Sequence, residues 1–312
     1  MKAVVLQKSP DPVLVLSDVA DPVPGPGDAL VRVEAFSLNL GEVRRGYTMA
    51  AAGWRPGWDF AGTVEQAAAD GQGPKAGTRV VGFLEEAAWA ERLAVPVRAL
   101  AALPDVVSTV QAATLPVAGL TALFALERAG PLVGRRVLVS GASGGVGHFA
   151  LQLARAGGAH VVAAVRRPEL AAEAEADGAH TVVDDASLAA AAAHGPFDVI
   201  LESVGGAALS NALTMLTRAG VCVTFGNSSR TPAPVDAGRF YLTGRPRLEG
   251  LYVLSELRHV PPSEGLGRLA RLVADGRLKP RITLEAPWTD IERVARALVD
   301  RKVAGKAVLT IG

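Results

Sequence analysis

Apolar residues in the first hundred positions come in short, β-prone runs. Residues 29–34, 62–65 and 79–83 are the best examples. Turn formers separate the runs: Asp11-Pro12, Asp21-Pro22, Pro24-Gly25-Pro26-Gly27, Arg55-Pro56-Gly57 and Gly71-Gln72-Gly73. Short strands with frequent turns predict a β-rich, barrel-like domain. Near Thr109 the pattern changes. Residues 111–128 place apolar side chains at helical spacing, interrupted by Pro116 and Gly119, and mark a border between domains.

From Arg135 onward, strand and helix patterns alternate. Strands are expected at 137–140, 161–165, 181–183, 198–201, 221–225 and 248–254. Helices are expected at 146–155, 169–176, 187–193 and 209–216. Continuous apolar strands separated by helices predict a parallel sheet covered on both faces, a doubly wound nucleotide-binding fold over about 117–257. In the tail, a helix at 265–275, a strand at 281–284, a helix at 290–299 and a strand at 307–311 return to a mixed pattern.

Composition narrows the functional classes. The chain has 312 residues, enough for two domains, with 49% hydrophobic and 20% charged residues, so it is expected to fold. Lys plus Arg number 32 against 31 acidic residues, a net charge of +1 that gives no global attraction to nucleic acid or an anionic membrane. A single cysteine, Cys222, excludes an intramolecular disulfide framework and favours a reducing, cytoplasmic setting. The opening Met1-Lys2-Ala3-Val4-Val5-Leu6 is too short an apolar run for a signal peptide or membrane span.

The chemistry lies in Ser140-Gly141-Ala142-Ser143-Gly144-Gly145-Val146-Gly147, between an expected strand and an expected helix. A glycine turn at that junction lets backbone approach a pyrophosphate, which rests on the free N–H groups and positive end of the helix. Ala142 replaces the first glycine of the usual pattern. Arg166-Arg167 follow the second strand, nineteen residues beyond Gly147, where NAD-binding proteins place an acidic residue. Two guanidiniums there predict a 2′-phosphate and therefore NADP(H).

At this point the sequence resembles the zinc-independent quinone oxidoreductase branch of the medium-chain dehydrogenase/reductases, over nearly its whole length. The resemblance is carried by Met1-Lys2-Ala3-Val4-Val5, by residues 24–33 from Pro24, by Asn39-Leu40-Gly41-Glu42 with Arg44-Arg45-Gly46-Tyr47, and by residues 56–62. Further matches are Gly77-Thr78-Arg79-Val80, Ala112-Ala113, Gly119-Leu120-Thr121-Ala122, the glycine turn, Gly178-Ala179-His180, Glu202-Ser203-Val204-Gly205-Gly206 and Gly305-Lys306-Ala307-Val308-Leu309. It implies an α/β protein with a GroES-like β-rich substrate domain at 1–116, a Rossmann NADP(H)-binding domain at 117–257, and a segment at 258–312 returning to the substrate domain. Asn39, Tyr47 and Thr121 would border the nicotinamide or substrate. Gly144, Gly145, Val146, Arg166 and Arg167 would meet phosphates and ribose, and Gly205, Gly226, Asn227 and a strand around Tyr252 would line the remaining groove. The family often has Asp where Glu42 stands, so Glu42 is left out of this set.

Gly57-Trp58-Asp59 occupies the place of the Gly-His-Glu of zinc-dependent relatives, and the five histidines show no metal-ligand spacing, so no catalytic metal is expected. Cys222, within an apolar strand, reads as a core residue. The resulting expectation is an NADPH-dependent reductase of quinones or α,β-unsaturated carbonyls. The Asn39 amide and the Tyr47 hydroxyl, the latter on a loop, would be the catalytic donors to developing oxyanion charge. An enoyl-thioester reductase acting on a polyketide-like intermediate uses the same chemistry, and a non-catalytic NADPH-binding sensor or structural protein is the alternative of another class. The apolar edge strand 248–254 predicts a homodimer.

Overall fold

A computed structural model describes residues 1–8 and 10–312. The chain forms two compact units, residues 1–120 with 257–312, and residues 121–256.

The first unit begins with an antiparallel pair, β1 (Lys2–Lys8) and β2 (Pro12–Asp18). β3 (Asp28–Leu38), β4 (Asp59–Gln66), β5 (Arg79–Phe83), β6 (Arg92–Pro96) and β7 (Leu100–Ala102) follow. β3 pairs antiparallel with both β4 and β6. Along it Ala29, Val31, Val33 and Ala35 are buried while Arg32 faces outward, the period-two pattern of a strand with one core face. Phe36 on β3 stacks on Trp89 at 5.3 Å within that core. Between β3 and β4 the chain forms the helix Leu40–Thr48, entered through Asn39 in extended conformation.

The second unit is built on six strands: β8 (Arg136–Val139), β9 (His160–Ala164), β10 (Thr181–Val183), β11 (Phe197–Glu202), β12 (Leu216–Thr224) and β13 (Arg247–Gly250). All are parallel, in the order β10-β9-β8-β11-β12-β13. The order reverses between β8 and β11, so their carboxyl ends flank the crevice where doubly wound sheets bind ligands.

Three expectations change here. The alanine run forms the 3₁₀ helix Ala189–His194 rather than an α-helix. The helix after β11 starts at Gly206, three residues earlier than its apolar pattern suggests. The edge strand stops at Gly250, and Tyr252, 60% exposed, lies outside it. The Tyr252 carbonyl accepts from Ser255 and Glu256 N–H, opening the short helix Val253–Glu256. Leu251, Val253 and Leu254 are buried around that turn, so an apolar run that reads as strand is satisfied by one helical turn.

The chain then returns to the first unit with the helix Pro262–Ala274, β14 (Ile282–Pro287), the helix Ile291–Val299 and β15 (Lys306–Thr310). β15 pairs antiparallel with β3 and parallel with β14. No helix among the described residues is long and apolar enough to cross a membrane.

Candidate active site

In the second unit the glycine turn leaves β8 at Ser140. Gly141 has φ +58, and its carbonyl accepts from Gly144 N–H at 2.9 Å. The helix Gly147–Ala156 rests on this turn. A Cβ at Gly147 would run into the Gly141 carbonyl and stand 2.6 Å from Ala142 Cα, so close packing requires glycine there. Gly144, Gly145 and Val146 remain partly exposed at the helix start. Arg166 and Arg167 follow β9 on the surface, with Arg167 Nε 3.5 Å from a Glu169 carboxylate oxygen.

Across the reversal, β11 ends in Glu202, which is fully buried. Its carboxylate accepts from Val204 N–H at 2.6 Å, from Gly205 N–H at 3.1 Å to each oxygen, and from Ser140 Oγ at 3.3 Å. Ser140 Oγ in turn accepts from Ser203 N–H at 2.8 Å. Burial pushes the Glu202 carboxyl upward, and these donors oppose the shift. The turn after β11 then holds the loop after β12. Ser228 and Ser229 N–H bond to the Ser203 and Val204 carbonyls, and a Cβ at Gly226 would stand 2.8 Å from Ser203 O. Asn227 Oδ1 accepts from Arg230 N–H at 3.1 Å. Gly144, Gly145, Val146, Gly205, Gly226 and Asn227 therefore sit in loops leaving three adjacent strands, β8, β11 and β12. Tyr252 belongs to the turn after the edge strand. Thr121 is buried in the first turn of the helix Leu120–Ala129.

Cys222 on β12 is buried, and burial followed by the Glu202 charge pushes its thiol far up, as suits an inert core residue.

The first unit contains a buried polar cluster that sequence reasoning did not assemble. Asp59 at the start of β4 is fully buried; its Oδ2 accepts from Ser37 Oγ at 2.7 Å, Asn39 Nδ2 at 2.8 Å and Lys306 Nζ at 3.4 Å. Its Oδ1 accepts from Val117 N–H at 3.0 Å. Lys306 Nζ, from β15, also donates to Asn39 Oδ1 at 2.7 Å and to the Leu38 carbonyl at 3.1 Å. Glu42 Oε1 accepts from Asn39 N–H at 2.7 Å and from Asn39 Nδ2 at 3.1 Å. Burial, reinforced by Asp59, raises the Glu42 carboxyl well above its usual range.

The structure shows what the two expected donors bond to. Both amide hydrogens of Asn39 are already donated to carboxyl groups inside the unit, so none faces outward. Tyr47 lies in the helix Leu40–Thr48 rather than on a loop, and its hydroxyl donates to Glu292 Oε2 at 2.7 Å. The Arg296 guanidinium covers its ring at 4.2 Å and itself bonds Glu292 Oε1. Burial and the Glu292 bond push the Tyr47 hydroxyl up, making it a poorer acid. The missed signal was a lone charge at the start of an apolar run: Lys306 precedes Ala307-Val308-Leu309, and Asp59 stands between Trp58 and Phe60.

The second unit fits a dinucleotide. Its glycine turn packs the helix start closely against the strand end, Gly144, Gly145 and Val146 stay partly exposed there, a helix of full length begins at that point, and the two arginines lie at the end of the next strand. Among the described residues, no group of three or more His, Cys, Asp or Glu side chains is placed to hold a metal ion.

The sequence matches the family described as alcohol dehydrogenase GroES-like domain over residues 25–105 and the family described as zinc-binding dehydrogenase over residues 145–262. GroES-like and Rossmann-type units together define an oxidoreductase of the medium-chain dehydrogenase/reductase type. A quinone oxidoreductase from Thermus thermophilus, solved alone and in complex with NADPH, is 33% identical with a TM-score of 0.85, covering 100% of both chains. A chloroplast envelope quinone oxidoreductase homolog from Arabidopsis thaliana is 29% identical over 94% of this chain and 93% of its own. The spectinabilin polyketide synthase system protein NorB of Streptomyces orinoci is 31% identical over 92% of this chain but only 13% of that much longer protein. The chain belongs to the quinone oxidoreductase branch of the medium-chain dehydrogenase/reductase superfamily.

Proposed function

We propose that this protein is an NADPH-dependent reductase of quinones or of carbon–carbon double bonds conjugated to a carbonyl, working without zinc. The observation that carries the reading is the backbone bed at the carboxyl ends of β8, β11 and β12, where only glycine fits at Gly147 and two arginines follow β9. The relative solved with NADPH supports the choice of cofactor. Gly144, Gly145 and Val146 would present N–H groups to the pyrophosphate, and Arg166 and Arg167 would bind the 2′-phosphate. When bound, the cofactor supplies a hydride from its nicotinamide C4.

An enone reduced in this way would carry the cofactor-derived hydrogen on its β-carbon and a solvent-derived hydrogen on its α-carbon. Asn39 and Tyr47 take no direct part, because their hydrogens are held by Asp59, Glu42 and Glu292. Trp58, standing where zinc relatives carry a ligand, is buried and supplies no metal-binding atom.

Polyketide-type enoyl thioesters are the second substrate class, favoured by the similarity to NorB. A homodimer formed through the exposed edge β13, where Leu248 is 43% exposed, belongs to the same reading; equilibrium sedimentation at micromolar concentration should find dimers, and a monomer would reject it.

The deciding experiment is a panel of quinones, enones and enoyl thioesters with NADPH deuterated at C4. Deuterium on the β-carbon or a reduced quinone supports the reading. Deuterium on a carbinol carbon, or no turnover with any acceptor, rejects it.

A further inference from the structure

Glu202 is buried and ionisable, yet no step of the proposed reaction uses it. Its surroundings are unusual for a buried carboxylate because they are neutral: Ser140 Oγ, just after β8, and the N–H groups of Val204 and Gly205. Among the described residues, the titratable group that feels its charge is the Cys222 thiol from β12. These bonds fold the chain back immediately after β11, with Gly205 at φ +75 and Gly206 at φ +53. The carbonyls of that same turn, Ser203 and Val204, receive Ser228 and Ser229 N–H from the loop carrying Gly226 and Asn227. Ser140 and Ser203 also hold each other, through Ser203 N–H to Ser140 Oγ at 2.8 Å and Ser203 Oγ to the Ser140 carbonyl at 3.3 Å, beside the start of the glycine turn. One carboxylate thus ties the turn after β11 to the loop that leaves β8, and the loop after β12 hangs on the same turn through the Ser203 and Val204 carbonyls.

We propose that Glu202 is a positioning residue for the dinucleotide bed, and that protonating it loosens the bed and weakens NADPH binding. This rests on the cofactor reading above, and concerns affinity rather than chemistry. As a carboxylate, Glu202 offers acceptors on both oxygens, and both are used. Val204 N–H, Gly205 N–H and Ser140 Oγ all reach Oε1, and only Gly205 N–H also reaches Oε2, so a proton on Oε2 displaces that second contact and removes the charge that strengthens the bonds to Oε1. Burial holds the carboxyl above the ordinary range, and among the described residues no cation is bonded to it.

The test is the dissociation constant of NADPH, measured by fluorescence across acidic to neutral pH on the intact protein. The wild type should bind about tenfold more weakly once Glu202 is protonated. Glu202→Gln should bind about tenfold more weakly throughout, with no inflection. Ser140→Ala removes one donor that stabilises the carboxylate, so its inflection should move to higher pH. This second variant keeps the proposal testable if Glu202→Gln does not fold. Superimposable pH profiles for wild type and variant would overturn it, because a role in stability alone would change melting but not this profile. A wild type that binds no NADPH at any pH would instead reject the cofactor reading. Glu202 is then judged by NMR: the Val204 and Gly205 amide resonances should titrate together in wild type and stay flat in Glu202→Gln, and amides that do not titrate in wild type would overturn the positioning role.

Discussion

Asp59 in the first unit and Glu202 in the second are both fully buried carboxylates at strand ends, but they are satisfied by opposite means. Asp59 meets a lysine, a serine, an asparagine and one backbone N–H, and three of those groups come from side chains on β3, on β15 and at the N-cap of the helix Leu40–Thr48. Glu202 meets one serine hydroxyl and the N–H groups of the turn that follows it. A cation among the partners fastens distant strands together and leaves the charge balanced. Backbone N–H partners instead bend the chain locally, and the loop so bent can present its remaining surface to a ligand. The polar centre of the first unit is thus closed on itself, and that of the second shapes a bed.

The largest effect expected from breaking this contrast is at Asp59. Asp59→Ala leaves Lys306 buried without its counter-charge, and removing one partner of a buried pair costs about 3–5 kcal/mol. Urea unfolding should register that loss; a loss below about 1 kcal/mol would mean that the pair is not what holds β4 to β15. On the open side, replacing Arg166 by Ser and Arg167 by Asp should cut the preference for NADPH over NADH at least tenfold, since each charge-assisted bond to the phosphate contributes about 1.5–3 kcal/mol. An unchanged ratio in steady-state kinetics with both cofactors would detach the arginines from the cofactor.

The closed side also predicts a pH dependence. The folded-state carboxyl of Glu42 ionises well above its ordinary value of 4.5. Its contribution to stability is therefore fully present below that value and declines as pH rises, because the unfolded chain releases this proton first. The slope is at most about 1.4 kcal/mol per pH unit until the folded-state value is passed. Chemical unfolding of wild type and Glu42→Gln at several pH values should show this decline in the wild type alone, and parallel profiles would place Glu42 outside the cluster. The smallest effect concerns Tyr47. Tyr47→Phe removes the bond to Glu292 and should cost about 1 kcal/mol in stability, with turnover changed less than about threefold. A hundredfold loss of turnover would restore the hydroxyl to the chemical step.

Much of the parallel sheet was legible because its signals are local. Continuous apolar runs such as 137–140 and 181–183 appear as β8 and β10 to within one residue, and the glycine turn lies where strand gives way to helix. Residues 248–254 misled for the same reason. Periodicity cannot separate a short buried strand from a strand followed by one helical turn, and the bonds to the Tyr252 carbonyl decided it. Asn39 was singled out as a polar residue in a recognisable motif, yet the direction of its hydrogen bonds was not legible.

The sequence by itself determined what neighbouring residues impose on one another. This includes the alternation along β3, the need for glycine at Gly147 where the helix meets its own preceding turn, and the pair Arg166-Arg167 closing β9. Tertiary structure alone decided which polar groups are occupied. The donor to Asn39 Oδ1 lies 267 residues away on β15, the acceptor of the Tyr47 hydroxyl 245 residues away, and the hydroxyl that reaches Glu202 62 residues away. A buried polar group takes whichever partner the folded chain brings within reach, because leaving it unpaired costs more than almost any local preference.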